Sequence, residues 1–349
     1  MKRILLPLLL CFLFCTSSCA IAPKQDQRFQ ASYLTLFDTV TTIVGFAPDR
    51  DTFSQTAQMI QEEMEEYHQL YDVYHSYEGI NNLYTVNQNA GVQPVKVDKR
   101  ILELLSAALE AYDLTDGKVN AAMGSVLKIW HTYREKGIDD PENAVLPPED
   151  KLREAGDHTD IQGIVIDWEE STVYLTDPDM SLDVGAIAKG YATEQVARLL
   201  ESQGVTGYTL SVGGNIRTIG QRGDGESWSI ALQDPQNEAD SLYTLSVGGG
   251  LSVVTSGSYQ RYYTVDGVRY HHIIDPQSLM PENRYLSVSV IGEDSGLCDA
   301  LSTALFNLSY EDGLELAESL QGIEVIWVLP DGSERYTSGF LQYIKDGTK

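Results

Sequence analysis

SLDVGAIAKGYATEQ (residues 181–195) is the stretch whose reading decides the fold. An apolar run that reads as a buried strand over 181–184 meets an aspartate, two spaced glycines and a lysine, and a helix is predicted over 186–203. Such a junction opens a doubly wound, nucleotide-binding sheet when it carries Gly-x-Gly-x-x-Gly or the Walker spacing; this one carries neither. It keeps a helix N-terminus, with N–H groups and the positive end of the dipole, and Lys189 one turn in, so it reads as an anion site. Gly185 and Gly190 also admit a plainer reading, the close packing of strand on helix.

Outward from the junction, helices interleave with antiparallel strands, which predicts an α+β fold. Upstream, residues 33–46 read as a strand, 51–74 as an amphipathic helix, 78–91 as an ordered loop, and 98–117 and 121–137 as two helices before a Pro-rich loop at 139–150. GIVIDWEESTVYLTD (163–177) reads as a hairpin and GYTLSVGGNIRTIG (207–220) as a strand with a glycine break. Residues 227–292 are almost all β, with an Asp-Gly turn inside YYTVDGVRYHHIID (262–275). Helices return at 298–308 and 312–322, followed by a strand at 324–329.

The chain has 349 residues, 42% hydrophobic and 21% charged, and a formal charge of −27 from 24 basic and 51 acidic residues. That surplus repels polyanions and excludes nucleic acid as a partner. A single anionic ligand needs a local cation or backbone N–H groups. MKRILLPLLLCFLFCTSSCA (1–20) has two basic residues, an apolar stretch and small residues before Cys19, which predicts a lipoprotein signal peptide over 1–18 and lipidation at Cys19. The expected location is extracytoplasmic, anchored to the membrane through that lipid. Residues 19–32 read as a polar tether, and 33–345 as one domain. Only Cys298 then remains inside the mature domain, so no internal disulfide is expected.

Three further clusters carry chemistry. In LSVGGNIRTIG (210–220), Gly213 and Gly214 permit positive φ or close backbone approach to a ligand, and a β-bulge would look the same. In VVTSGSYQRYYTVDGVRYHHIIDP (253–276), Thr255, Ser256, His271, His272 and Asp275 are expected on what reads as one hairpin; alternation lets one of the two histidines face a given site. No Gly-x-Ser-x-Gly elbow supports a hydrolase. In CDALSTALFNL (298–308), Asp299 and Thr303 share a helical face and offer hard oxygens suited to Mg²⁺ or Ca²⁺, or else Asp299 caps the helix and Thr303 bonds back along it.

In this order, FDTVTTI, DGKVNAAMGSVLKIW, DVGAIAKGYA, SVGGNIRTIG, TSGSYQRYY, HHIIDP and DALSTALF resemble the ApbE-type FAD:protein FMN transferases over about residues 33–340. The resemblance implies a two-lobed fold with a T-fold-like core of antiparallel strands and flanking helices. It implies FAD as substrate, Mg²⁺ as cofactor, and FMN transfer to a threonine hydroxyl of an acceptor protein, a redox-complex subunit or an extracytoplasmic flavoprotein, with release of AMP. By the same resemblance, Asp183, Lys189, Ile274, Val119, Asn120 and Tyr74 contact FAD. The carbonyl of Ala186 joins Asp299 and Thr303 around the metal, and His272, titrating near its ordinary value, is the base. Asn215 stands where the family often has a carboxylate, DPQSLMP (275–281) replaces a Thr-Gly turn, and Asn120 and Ala122 replace Asp and Thr. An FAD pyrophosphatase and a non-catalytic flavin-binding surface lipoprotein are the alternatives.

Overall fold

The computed structural model describes residues 26–34 and 36–345; the expected signal peptide and Cys19 lie outside the described residues. Strand β1 (Gln27–Tyr33) pairs antiparallel with β2 (Thr41–Ala47). The run read as one strand over 33–46 is broken at Leu36–Asp38, where Phe37 and Asp38 take φ of 53° and 52° and turn the chain. β1 starts inside the expected tether, because Phe29, Ala31 and Tyr33 alternate onto the helical layer.

Helix α1 (Arg50–Tyr71), capped by Asp49, follows as expected. Within the expected loop 78–91 lies a short helix, α2 (Leu83–Gln88), begun by Asn82, whose side chain accepts from the Thr85 amide at 3.1 Å. β3 (Val95–Lys96), α3 (Lys99–Leu114) and α4 (Gly124–Asp139) lead to α5 (Glu149–Gly156). The eight residues of α5 were not expected as a helix: they bury only Leu152, too little to leave a periodic pattern. β4 (Ile164–Asp167) and β5 (Thr172–Leu175) form the expected hairpin, and β3 joins it.

Residues 181–184 belong to no strand, contrary to the sequence reading; Ser181 makes only an isolated parallel bridge with Met123. Three other segments satisfy their backbone: the Leu182 amide donates to Asn87 Oδ1 (2.7 Å), the Asp183 amide to the Ala121 carbonyl (2.9 Å), and the Ser181 carbonyl accepts from Gly124 (2.8 Å). Helix α6 (Ala188–Ser202) starts two residues later than expected. β6 (Tyr208–Val212) and β7 (Asn215–Ile219) are separate strands; Gly213 and Gly214, with φ of 51° and 94°, make a two-residue hairpin turn and not a break within one strand.

β8 (Trp228–Asp234) and β9 (Asn237–Val247) form a ribbon, followed by β10 (Ser252–Gly257), the β11 (Tyr262–Val265)–β12 (Val268–His271) hairpin and β13 (Ser287–Gly292). α7 (Ser295–Asn307), α8 (Tyr310–Ser319), β14 (Glu324–Val328) and β15 (Glu334–Tyr336) complete the chain. The central sheet has the order β1-β2-β6-β7-β10-β13-β14-β15 and is antiparallel throughout, an α+β arrangement. Alternate residues of β10, β13 and β14 bury both faces: Val254, Val290 and Val325 pack with the α7–α8 layer, while Val253, Ile291 and Ile326 meet the β8–β9 ribbon. Thr255 and Ser256 lie on β10 in this sheet, whereas the histidines end the separate β11–β12 hairpin, so they do not share one hairpin.

Candidate active site

A cleft of about 560 Å³ opens where α1, α4, α6, α7 and the ends of β10 and β12 converge. Tyr74, Val119, Asn120, Asp183, Ala186, Lys189, His272, Ile274, Asp299 and Thr303 all line it. These positions span 230 residues of sequence, and the antiparallel crossings bring them together.

The junction between 183 and 190 is pinned to α7. Asp299, 4% exposed, accepts from the Gly190 amide at 2.8 Å, with the Lys189 ammonium 3.8 Å away. Burial raises the Asp299 carboxyl above its ordinary range, and Lys189 opposes that rise. The helix cap is Asp294, not Asp299, and the Thr303 hydroxyl makes no hydrogen bond among the described residues, so the capping and back-bonding roles are not what these side chains do. Buried Glu194 holds the same two helices together, accepting from the Ser295 amide and from Arg217 Nε, each at 2.9 Å.

This contact requires glycine at 190. A Cβ there would lie 2.2 Å from the Ser295 carbonyl oxygen and 2.5 Å from Asp299 Cβ, so the helices would have to part. Gly190→Ala is expected to destabilise the protein by roughly 1–3 kcal/mol in urea unfolding. Unchanged stability would mean that α6 and α7 shift without cost.

The N-terminus of α6 offers fewer amides than the sequence suggests. Gly185 donates to Asp183 Oδ1 (2.8 Å), Ile187 and Ala188 to the Val184 carbonyl (3.0 and 2.8 Å), and Gly190 to Asp299. An anion at this junction therefore depends mainly on cations. The first acceptor of the helical ladder is the Ile187 carbonyl, bonded by Tyr191 at 2.9 Å, which leaves the Ala186 carbonyl ahead of the ladder. Ala186, Thr303 and Asp299 all line the cleft, and a carbonyl, a hydroxyl and a carboxylate are hard oxygen donors of the kind that suits Mg²⁺. Asn215 also lines the cleft; its side-chain amide favours the Asp299 carboxylate and supplies no anionic ligand.

His272 faces the cleft, while His271 is buried against Phe306 with its Nε2 at 3.0 Å from the Glu282 carbonyl. One histidine in the site is what strand alternation predicts. The expected ordinary titration of His272 is wrong: burial, followed by Arg261, Arg134, His271 and Lys189, pushes it down to about 3. Half-buried Asp183 is raised by desolvation, opposed by the Gly185 amide. The Tyr74 ring sits 5.2 Å from that of His131. The Val119 amide donates to Thr115 Oγ1 (3.1 Å). The Asn120 side chain is used internally, donating to the Thr159 carbonyl (2.9 Å) and accepting from the Ala122 amide (2.8 Å). Ile274 is buried beside Trp130 in the α4 cluster. Ser256 bonds Ser302 at 2.7 Å and has no histidine partner, so no serine-hydrolase arrangement forms.

Sequence reading missed Lys118, Arg134 and Arg261, and placed Asp275 in the 253–276 cluster without its lysine partner. Lys118 pairs with buried Asp275 at 2.6 Å and also bonds Gln277, which fixes the turn after His272. Arg134 lies one helical turn after Trp130, and that i, i+4 spacing was the available signal.

The ApbE family profile matches residues 37–327. The chain is 33% identical over 277 residues to the FAD:protein FMN transferase of Treponema pallidum (strain Nichols), covering 75% of each chain. It is 36% identical over 244 residues to that of Klebsiella pneumoniae (strain 342), covering 70% of this chain and 73% of the relative. Among solved structures, the ApbE protein of Thermotoga maritima superposes with a TM-score of 0.79 at 28% identity, over 92% of this chain and 100% of the other. Flavin transferase ApbE from Vibrio cholerae gives 0.76 at 27%, over 91% and 100%.

Proposed function

From the premise that this chain belongs to the ApbE family and is an FAD:protein FMN transferase, we propose that the cleft moves FMN from FAD onto a threonine hydroxyl of an acceptor protein, with Mg²⁺ bound and AMP released. The observation that carries this reading is the 2.8 Å bond from Gly190 to Asp299, which sets a buried carboxylate from α7 against the Lys189 junction. Asp299, Thr303 and the Ala186 carbonyl would hold the cation. When bound, it neutralises charge on the diphosphate and on the phosphorus under attack.

In this reaction the threonine oxygen forms a bond to the flavin-side phosphorus as the bond from that phosphorus to the bridging oxygen breaks. AMP departs with the bridging oxygen and its electron pair. The hydroxyl proton passes to the His272 imidazole, which gains proton affinity as the bound anion offsets Arg261, Arg134 and Lys189. Lys189 binds the anion, while Val119 and Ile274 present apolar surface to the flavin. Lipidation at Cys19 and an extracytoplasmic, membrane-anchored location belong to the same proposal, supported by the basic start and apolar stretch of residues 1–20.

Co-expression with an acceptor domain followed by mass spectrometry tests it. The expected result is an FMN-sized adduct on one threonine of the acceptor. Free FMN and AMP with an unlabelled acceptor would assign the site to FAD hydrolysis instead.

A further inference from the structure

Four lysines and arginines line the cleft: Lys118, Arg134, Lys189 and Arg261. Lys118 is paired with Asp275, and Lys189 lies 3.8 Å from Asp299. Arg134 and Arg261 form no ion pair with any described carboxylate, in a chain whose formal charge is −27. With so many carboxylates available, two unpaired guanidiniums in one cleft are not explained by chance placement.

Each is held in place by one contact. Arg261, at the exposed rim, donates through Nη2 to the Asp38 carbonyl at 3.0 Å, and Arg134 Nη2 is 2.9 Å from His131 Nδ1. Each keeps donors for a ligand, and the planar guanidinium matches phosphate oxygens two at a time. Both line the same cleft as His272. Desolvation weighs against the charged form of Arg134, a cost that an incoming anion offsets. The engaged amides of the α6 N-terminus leave a diphosphate short of donors on that side.

We propose that Arg134 and Arg261 form a second phosphate subsite in the cleft, which binds the diphosphate of the dinucleotide substrate together with the Lys189 junction. This rests on the reading of FAD as substrate. It makes the cleft a three-sided clamp, from α4, the β10–β11 connection and α6, in which anion binding neutralises the cations that crowd His272.

The test is equilibrium binding to the full chain of FAD, riboflavin and inorganic pyrophosphate, by flavin fluorescence and calorimetry, with Arg134→Ala, Arg261→Ala and the corresponding Lys variants. Each alanine variant is expected to weaken FAD and pyrophosphate binding by about 10- to 100-fold, the loss of a charge-assisted hydrogen bond. Riboflavin, which has no phosphate, should bind as before, and the Lys variants should recover part of the loss. FAD and pyrophosphate affinities unchanged in both alanine variants would overturn the proposal, as would an equal loss for riboflavin, which would reveal a structural role. Arginine-dependent pyrophosphate binding in a protein that does not bind FAD would uphold the subsite and refute the choice of substrate.

Discussion

Asp299→Ala is expected to lower Mg²⁺-dependent FMN transfer by roughly 10³-fold, the scale on which a preorganised charge-stabilising group at a reacting centre acts. The carboxylate is the only anionic member of the proposed donor set, and the Thr303 hydroxyl and Ala186 carbonyl alone would hold a divalent cation poorly. The same change removes the acceptor of the Gly190 amide, which by itself costs about 1–3 kcal/mol of stability. Asp299→Asn separates the two effects, because its amide oxygen can still accept from Gly190 while the charge is gone. The expected pattern is a stable Asn variant that has lost Mg²⁺ stimulation. An Asp299→Ala protein that retains stimulated transfer would remove the metal role from this residue and leave it as the tie between α6 and α7.

His272→Ala is expected to slow transfer by about 10²- to 10⁴-fold, the usual range for a positioned proton acceptor, with little change in FAD affinity. The pH dependence is the sharper measurement. Because burial and the surrounding cations push His272 in the free protein down to about 3, it stays neutral from pH 7 down to well below pH 5. The acid limb of kcat/KM attributable to this group should therefore fall near pH 3, not near 6.5. Binding of the diphosphate offsets Arg134, Arg261 and Lys189, so the corresponding limb of kcat should lie at higher pH. An acid limb of kcat/KM near 6.5 that disappears in His272→Ala would show that the imidazole titrates at its ordinary value.

Much of the site was legible because single segments carry it. The Asp299–Thr303 pair is visible as i, i+4 spacing, and strand alternation limits the site to one of His271 and His272, of which the family resemblance singles out His272. The anion reading of 181–195 was only half right. Lys189 is where it should be, but the amides around it are taken by Asp183, Val184 and Asp299, partners up to 109 positions away. Arg134 and Arg261 escaped notice for the same reason, since their lack of carboxylate partners is a property of the folded chain. The strand expected at 181–184 failed because an apolar run records burial and not what satisfies its backbone.

The sequence by itself determined the α+β class, the succession of helices and strands through most of the chain, and the kinds of side chain available for binding an anion and a hard cation. Local periodicity and turn chemistry encode these features within a dozen residues or so. Only the tertiary structure decided that α7 folds back onto the first turn of α6, that the His272 imidazole sits among cations that suppress its charge, and that two arginines face the cleft unpaired. Each of these depends on distances between groups far apart in the chain, and both burial and Coulomb energy follow those distances rather than sequence order.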